Sequence, residues 1–373
     1  MIQLPRDQYE EILPMFAEMD HHLSVAGVLS GAIAGRAWLN GSGTCALVQS
    51  PQGFLFGGKP DTVFFSDCAR LMGSELLPEL AAVKKLDYVV FFPEGWRAML
   101  TEAFSELEPM PSTRMTWERD LAGADLALPP DVRPVTLELL ARGDLEGVDW
   151  TLEEIAGGWP SAEEFCRRGF GCVAVEEREG RERIVAWCLT DWVVRDRCEL
   201  GIEVEEDCRL QGYGRRVALG TVALACARGI GRIGWQCWAS NMGSQGVARA
   251  AGFRLAREFP VLFGWNNPMN NTLINGNYYL NDHPDVSVTK DYRRAALAYA
   301  RALDQGWDWG GNPILYYNTA CLFARSGEWE RARRYMVLAM EKGFNGIEGK
   351  PGTWEWEYTY HERDAEEIVG RLR

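Results

Sequence analysis

At 373 residues, 47% of them hydrophobic, the chain has ample apolar content for two or three packed domains and no sign of disorder. A formal net charge of −14 and a pI near 4.9 argue against nucleic-acid backbones or anionic membranes as the main partner; they mildly favour a cationic substrate such as an amine. No apolar run reaches the length of a membrane span. The start, Met-Ile-Gln-Leu-Pro-Arg-Asp-Gln, lacks the basic opening and apolar core of a signal peptide, so a soluble, cytoplasmic protein is expected.

The first region, 1–121, reads as a small α/β domain without chemistry of its own. A helix is expected over 9–19, paired strands over 43–49 and 53–57 joined by the turn residues Ser50-Pro51-Gln52, a helix over 66–83 and a buried strand over 86–92. Proline content marks 122–134 as a linker. A second domain, 135–265, follows with helical stretches at 137–145 and 152–156. Strands come next at 171–176, 183–190 and 198–204, the first two joined by the charged turn 177–182.

The most informative stretch is Arg209-Leu-Gln-Gly212-Tyr-Gly214-Arg215-Arg216. The strand before it alternates, with Leu200, Ile202 and Val204 on one side and Glu199, Gly201 and Glu203 on the other. The Ala-, Leu- and Val-rich stretch after it, 215–228, predicts a buried helix. A glycine turn between strand and helix lets main-chain N–H groups crowd an anion at the positive end of the helix, which suits a phosphate-bearing cofactor. A strand is expected again over 231–239. The polar cluster Ser240-Asn241-Met-Gly-Ser244 then caps a helix that ends at Ala250-Ala251-Gly252-Phe253.

Other sites lack support. No third glycine follows Gly212-Tyr-Gly214 and the next strand carries no carboxylate, against a dinucleotide fingerprint; no Gly-Lys-Ser/Thr marks a P-loop, and no Gly-x-Ser-x-Gly elbow is present. The ten cysteines include no Cys-x-x-Cys pair, and His21, His22, His283 and His361 show no ligand spacing, so no metal is expected.

Strand, glycine turn, helix, strand, Asn-x-x-Ser, helix, Ala-Gly-Phe: this order resembles the core of the GCN5-related N-acetyltransferases (GNAT). Residues 1–121 are similar to the degenerate half that precedes the cofactor-binding half in a bacterial subgroup of such proteins. The resemblance implies an α/β (α+β) fold: a GNAT-type mixed twisted sheet flanked by helices, with the small N-terminal domain before it and a helical extension after. It also implies an acetyl-CoA-dependent N-acetyltransferase in which a primary amine, of a small molecule, attacks the thioester directly. On that reading the main chain of 211–215, with Arg209, Gln211, Gly212, Tyr213, Gly214 and Arg215, holds the pyrophosphate, and Arg216 adds charge. A main-chain N–H of Ile202 or Val204, splayed by a bulge, serves the oxyanion, and Asn241 and Ser244 touch the pantetheine arm. Glu199 is the preferred general base, direct or through water, with Glu203 second; the alternative for both is a solvated strand carboxylate, as plain capping is for Asn241 and Ser244. One departure stands out. The family tyrosine that protonates the leaving thiolate falls at Ala248, leaving Tyr213 and Cys237 as the nearest donors, an unassisted thiolate, or a protein that binds acyl-CoA without turnover.

From 266 to 373 the pattern is helical and resembles tetratricopeptide units, with Gly276, Tyr279, Tyr292, Ala295, Tyr299, Ala302, Ala320, Phe323, Gly327, Trp329, Ala332, Met336 and Ala339 at suitable spacings. Two units are visible, and packing against the catalytic domain is favoured over a peptide groove. A protein partner through these helices remains open, either for a non-catalytic acyl-CoA sensor or for a protein acetyltransferase.

Overall fold

The computed structural model describes residues 1–121, 126–178, 180–280, 283, 286–308 and 310–344. The strands are β1 (Ile2–Gln3), β2 (Arg36–Leu39), β3 (Cys45–Ser50), β4 (Gly53–Gly58), β5 (Asp87–Phe91), β6 (Met110–Asp120), β7 (Arg133–Pro134), β8 (Leu145–Glu146), β9 (Gly171–Arg178), β10 (Arg181–Val194), β11 (Arg197–Val204), β12 (Arg232–Trp238) and β13 (Arg254–Trp265). They form one mixed sheet in the order β1-β2-β3-β4-β5-β13-β6-β12-β11-β10-β9-β7, with β8 beside β10. The expected α/β class therefore holds: a mixed sheet flanked by helices, with a helical C-terminal region.

The compact units cut the chain differently from the expected boundaries. One comprises 1–68, 89–100 and 113–261; the other comprises 69–88, 101–112 and 262–373. The segment read as a linker ends in β7, which pairs with β9 (Arg133 opposite Val173); its residues 122–125 lie outside the described residues. β6, 11 residues long, was not expected from the sequence, and its residues 114–120 run antiparallel to the whole of β12, from Arg232–Asp120 to Trp238–Arg114.

In the first unit, the helix Tyr213–Ala227 lays Val217, Ala218, Val222 and Ala225 on the core face of β9 to β12, among Cys172, Cys188, Leu200 and Trp235. Burying that apolar face holds the helix, since its two glycines, Gly214 and Gly220, weaken its intrinsic propensity. Thr221, fully buried, accepts from the Cys172 N–H (3.2 Å) and donates to the Cys188 carbonyl (2.8 Å), so its hydroxyl is satisfied inside the core. The opposite face carries the helices Val148–Gly158 and Ala162–Arg168, packed on Val173, Ile184, Trp187 and Leu189. The second of these opens with a Ser161 cap onto the Glu164 N–H (3.2 Å). The helix Leu23–Leu29 belongs to the same unit, and its Leu23 packs with Trp192 and Val194 of β10.

In the second unit, the helix Pro268–Leu280 is tied by buried amides. Asn266 donates to the carbonyls of Lys85 (2.8 Å) and Asp87 (3.2 Å), Asn271 to Leu107 (2.9 Å) and Asn275 to Glu108 (2.8 Å). The helices Tyr292–Asp304, Pro313–Arg325 and Trp329–Glu341 complete its core, where Ala295, Ala302, Ala320, Ala332 and Ala339 are fully buried. Small residues let the axes approach: a Cβ at Gly276 would lie 2.4 Å from Tyr299 Cε1. The expected helical stretch beyond 344 lies outside the described residues. No helix among the described residues is long and apolar enough to cross a membrane.

Candidate active site: an open strand edge beside buried carboxyls

β11 and β12 run parallel, but their ladder covers only Arg197–Leu200 against Arg232–Trp235. Both strands continue past that point without each other. On its other side β11 stays paired with β10 as far as Val204 opposite Ala186, and the Glu205 N–H bonds the Val185 carbonyl (2.9 Å). Hydrogen-bonding direction alternates along an antiparallel strand, so Glu203 and Gly201 share the β10 side with Glu205. The main-chain groups of Ile202 and Val204 therefore face the opened side, where Arg209 Nε takes the Val204 carbonyl (3.3 Å). A bulge was expected on this strand; the register shift instead falls on β10, between Thr190 and Trp192.

The turn that follows carries Leu210 at φ 61° and Gly212 at φ 83°, and helix Tyr213–Ala227 starts directly after. Its first main-chain bond is Arg216 N–H to Gly212 C=O (3.2 Å), so the N–H groups of Tyr213, Gly214 and Arg215 precede the helical ladder and point outward from its positive end. Gly212 meets no atom within 4 Å of a would-be Cβ, and its positive φ accounts for the glycine. Gly214 has a different role: a Cβ there would lie 3.1 Å from Val247 Cγ2 and 3.3 Å from Val204 Cγ2, so it seats the helix on the strand. Gln211 Nε2 bonds the Asp207 carbonyl (3.0 Å). Arg216 is committed to Asp131 (2.8 Å) and lies 4.1 Å over the Tyr213 ring, while Arg215 is exposed. The turn brings together six of the sequence-predicted positions, Arg209 to Arg215 without Leu210.

Asn241 caps the helix Met242–Ala250, its side chain accepting from the Ser244 N–H (2.9 Å), and Ser244 Oγ accepts from Trp235 Nε1 (2.9 Å). Ala248 is fully buried in the core with Trp235 and Cys237. Of the two alternative donors, Tyr213 stands at the glycine turn under Arg216. Cys237 lies on β12, two residues past the last rung shared with β11; burial raises its thiol, which stays protonated.

Carboxyls gather on the other face. Glu199, 3% exposed, sits one rung before the strands part, its Oε2 3.7 Å from the position a Cβ of Gly234 would take. Burial pushes its carboxyl up to about 7, against the pull of Arg114, the nearby Trp192 indole and Arg197. Asp191, the bulged residue, leans over Gly201, where a Cβ would lie 2.5 Å from its Oδ1. Burial, then the charges of Glu199 and Glu154, hold it well above the usual carboxylate range, with Arg114 opposing. Glu154, exposed on its helix, is also raised, by partial desolvation and then by Glu203. Glu203 is exposed and accepts from Trp150 Nε1 (3.1 Å). Glycines inside strands cost stability, but at 201 and 234 they open the space the two carboxyls occupy.

A cavity of about 220 Å³ lies against this face. Pro51, Glu154, Trp159, Phe165, Asp191 and Trp192 contribute to its lining. In the same unit, His22 is buried and held neutral, its pKa well below normal through burial, His21 and Arg114; Gln236 Nε2 lies 3.4 Å from its Nδ1 and Gln52 Nε2 donates to Gln236 Oε1 (2.8 Å). The sequence reading missed Asp191 and Glu154 as walls of one cavity. An aspartate one residue past the strand expected over 183–190 was the one available signal.

A parallel pair that parts midway and feeds one strand into an amide-rich turn and helix defines an acyltransferase of the GNAT type. The model of the GNAT acetyltransferase family matches residues 13–262, and the chain belongs to that family. Among solved structures, a GCN5-related N-acetyltransferase-like protein from Streptococcus suis is 15% identical with a TM-score of 0.48, covering 69% of this chain and 98% of its own. A GCN5-related N-acetyltransferase from Sphaerobacter thermophilus is 13% identical with a TM-score of 0.42, covering 72% and 95%. A tandem GNAT protein from the clavulanic acid biosynthesis pathway is 13% identical with a TM-score of 0.44, covering 72% and 98%. A search of curated proteins finds no match.

Proposed function

We propose that the protein is an acetyl-CoA-dependent N-acetyltransferase that acetylates a primary amine of a small molecule, with Glu199 as general base. One observation carries this reading: the ladder between β11 and β12 ends at Leu200 and Trp235, one rung beyond a buried glutamate. Acetyl-CoA supplies a thioester carbonyl open to attack and a thiolate leaving group. The N–H groups of Tyr213, Gly214 and Arg215, with the exposed Arg215 side chain, suit its pyrophosphate, and the open edge at Ile202 and Val204 suits the pantetheine amides and the developing oxyanion. Glu199 takes a proton from the incoming ammonium; the freed nitrogen forms the C–N bond, the C–S bond breaks, and the nitrogen's second proton passes to the departing thiolate, which leaves as the thiol.

The second reading is an acyl-CoA sensor without turnover, motivated by Ala248. A carboxyl poised near neutrality at the strand opening favours the enzyme, since a sensor gains nothing from burying it. Calorimetry with acetyl-CoA on wild type and Gly212→Asp tests the phosphate turn, and unchanged affinity in the variant removes it. Release of coenzyme A with an amine panel tests turnover. Tight acetyl-CoA binding with no amine consumed selects the sensor.

A further inference from the structure

The bulge in β10 changes which way that strand presents its side chains. From Ala186 to Thr190 the even-numbered residues face the helix Tyr213–Ala227: Ala186 and Cys188 lie in that core, and Thr190 stands opposite Leu200. The odd-numbered Trp187 and Leu189 face the other side. A strand of strict period two would send Trp192 back into the helix-facing core. One extra residue, Asp191, shifts the phase. Val193 then stands opposite Cys198, while Trp192 and Val194 turn to the other face and pack with Leu23. There Trp192 walls the cavity beside Leu189, and the residue across the ladder from it is Glu199. Bulges interrupt a ladder, and beside a site their use is to re-aim a side chain.

Trp192 is 7% exposed and Glu199 3%. The buried indole N–H meets no acceptor in hydrogen-bond geometry among the described residues, yet it lies close enough to the Glu199 carboxyl to favour the ionised form. Resting on the acetyltransfer reading above, we propose that the β10 bulge serves to aim the Trp192 indole at Glu199, which makes Trp192 the positioning residue of the base. Its N–H closes on the carboxylate once the proton has left, as hydrogen bonds to a working base often tighten only when the charge is present. Burial disfavours that charge; Arg114 of β6, then Trp192, then Arg197 of β11 work against burial. Trp192 is the one of these three that acts as a hydrogen-bond donor. Asp191 is coupled to Glu199 from the bulge itself, and Glu154 to Asp191; the helix Leu23–Leu29 carries no titratable side chain.

Trp192→Phe keeps an aromatic ring against Leu23 and removes the N–H. With the full chain, acetyl-CoA and an amine, its acid limb in kcat/KM should move up by about one unit from the wild-type position at about 7. That is a loss of about tenfold at pH 6, the worth of one hydrogen bond to a charged group. Leu23→Ala loosens the same packing and should leave the limb where it is. An equal shift in Leu23→Ala, or an unmoved limb in Trp192→Phe, overturns the inference and leaves acetyl transfer standing. The indole N–H resonance of Trp192 in proton–nitrogen correlation spectra, identified by its absence from Trp192→Phe, needs no turnover. It should titrate with a midpoint of about 7 in wild type and stay flat in Glu199→Gln. Titration of that resonance without turnover of any amine supports the pairing and removes the acetyltransferase reading. A resonance flat in wild type, or still titrating in Glu199→Gln, overturns the inference while turnover is seen; without turnover it overturns both.

Discussion

Glu199→Gln should stabilise the protein at alkaline pH while removing its activity. The wild-type carboxyl has its pKa raised from 4.5 to about 7 because burial disfavours its charge, with Arg114, Trp192 and Arg197 pulling back only in part. The folded pKa lies above the unfolded one. The group's favourable contribution is therefore fully present below about pH 4.5 and is lost as pH rises through 7. A shift of about 2.5 units is worth about 3 kcal/mol at 1.36 kcal/mol per unit. Glutamine carries no such dependence, so the stability of the variant relative to wild type should grow by about 3 kcal/mol between pH 4.5 and 8. Removing the Glu199 charge also relieves Asp191, which adds in the same direction. Urea unfolding of both proteins at several pH values, followed by tryptophan fluorescence, reads the double difference. In activity, wild-type kcat/KM should climb about tenfold per pH unit below 7 and level off above it, and the variant should lose about 10²–10⁴-fold together with that limb. Parallel stability curves would mean that Glu199 is solvated. A wild-type rate flat from pH 5.5 to 8 would mean it is not the base.

Three further substitutions probe the surroundings. Gly214→Ala places a methyl 3.1 Å from Val247 and 3.3 Å from Val204, and should lift the turn off the strand, costing about 1–3 kcal/mol and weakening acetyl-CoA binding in calorimetry. Ala248→Tyr restores the residue type expected by resemblance but puts a ring into a fully buried position; a lower melting temperature without a gain in kcat is expected, and a faster enzyme of unchanged stability would contradict this. Asn271→Ala strips a donor from the Leu107 carbonyl and an acceptor from the Trp265 N–H, both at 2.9 Å, and should cost about 1–3 kcal/mol in denaturant unfolding.

The sequence was most readable where local chemistry is repetitive. Period-two alternation sorted residues 199–204 onto two faces, and the glycine turn before an apolar stretch marked the start of the helix Tyr213–Ala227. The cap at Asn241 and the small residues of the C-terminal helices were similarly visible. Long-range pairing was not. β6 reads Met-Pro-Ser-Thr-Arg-Met-Thr-Trp-Glu-Arg-Asp, with no clean alternation because part of its length is only half-buried on both faces. β13 begins with five exposed residues and contains Pro260, and its place between β5 and β6 has no local signature. Asp191 was hidden for a similar reason. A bulge leaves no residue pattern of its own, so the polar Thr190-Asp191 pair looked like an end to a strand that runs on to Val194.

The cleft owes its shape to what β12 does after leaving β11. Its free half, Gln236 to Trp238, remains in register with Thr116 to Arg114 of β6, so one edge is still fully laddered. On the face away from Trp235 and Cys237, half-buried Gln236 is gripped by Gln52 from the β3–β4 turn, and Gln52 in turn accepts from Ser24 Oγ (2.6 Å). Pro51 of the same turn walls the carboxyl-lined cavity. The N-terminal region, expected to lack chemistry, thus anchors the strand whose departure creates the opening. Main-chain groups at Ile202 and Val204 give up a sheet partner there, a cost of the order of a hydrogen bond each. β6 and the Gln52 turn hold β12 in that position, so the opening is set by strand register.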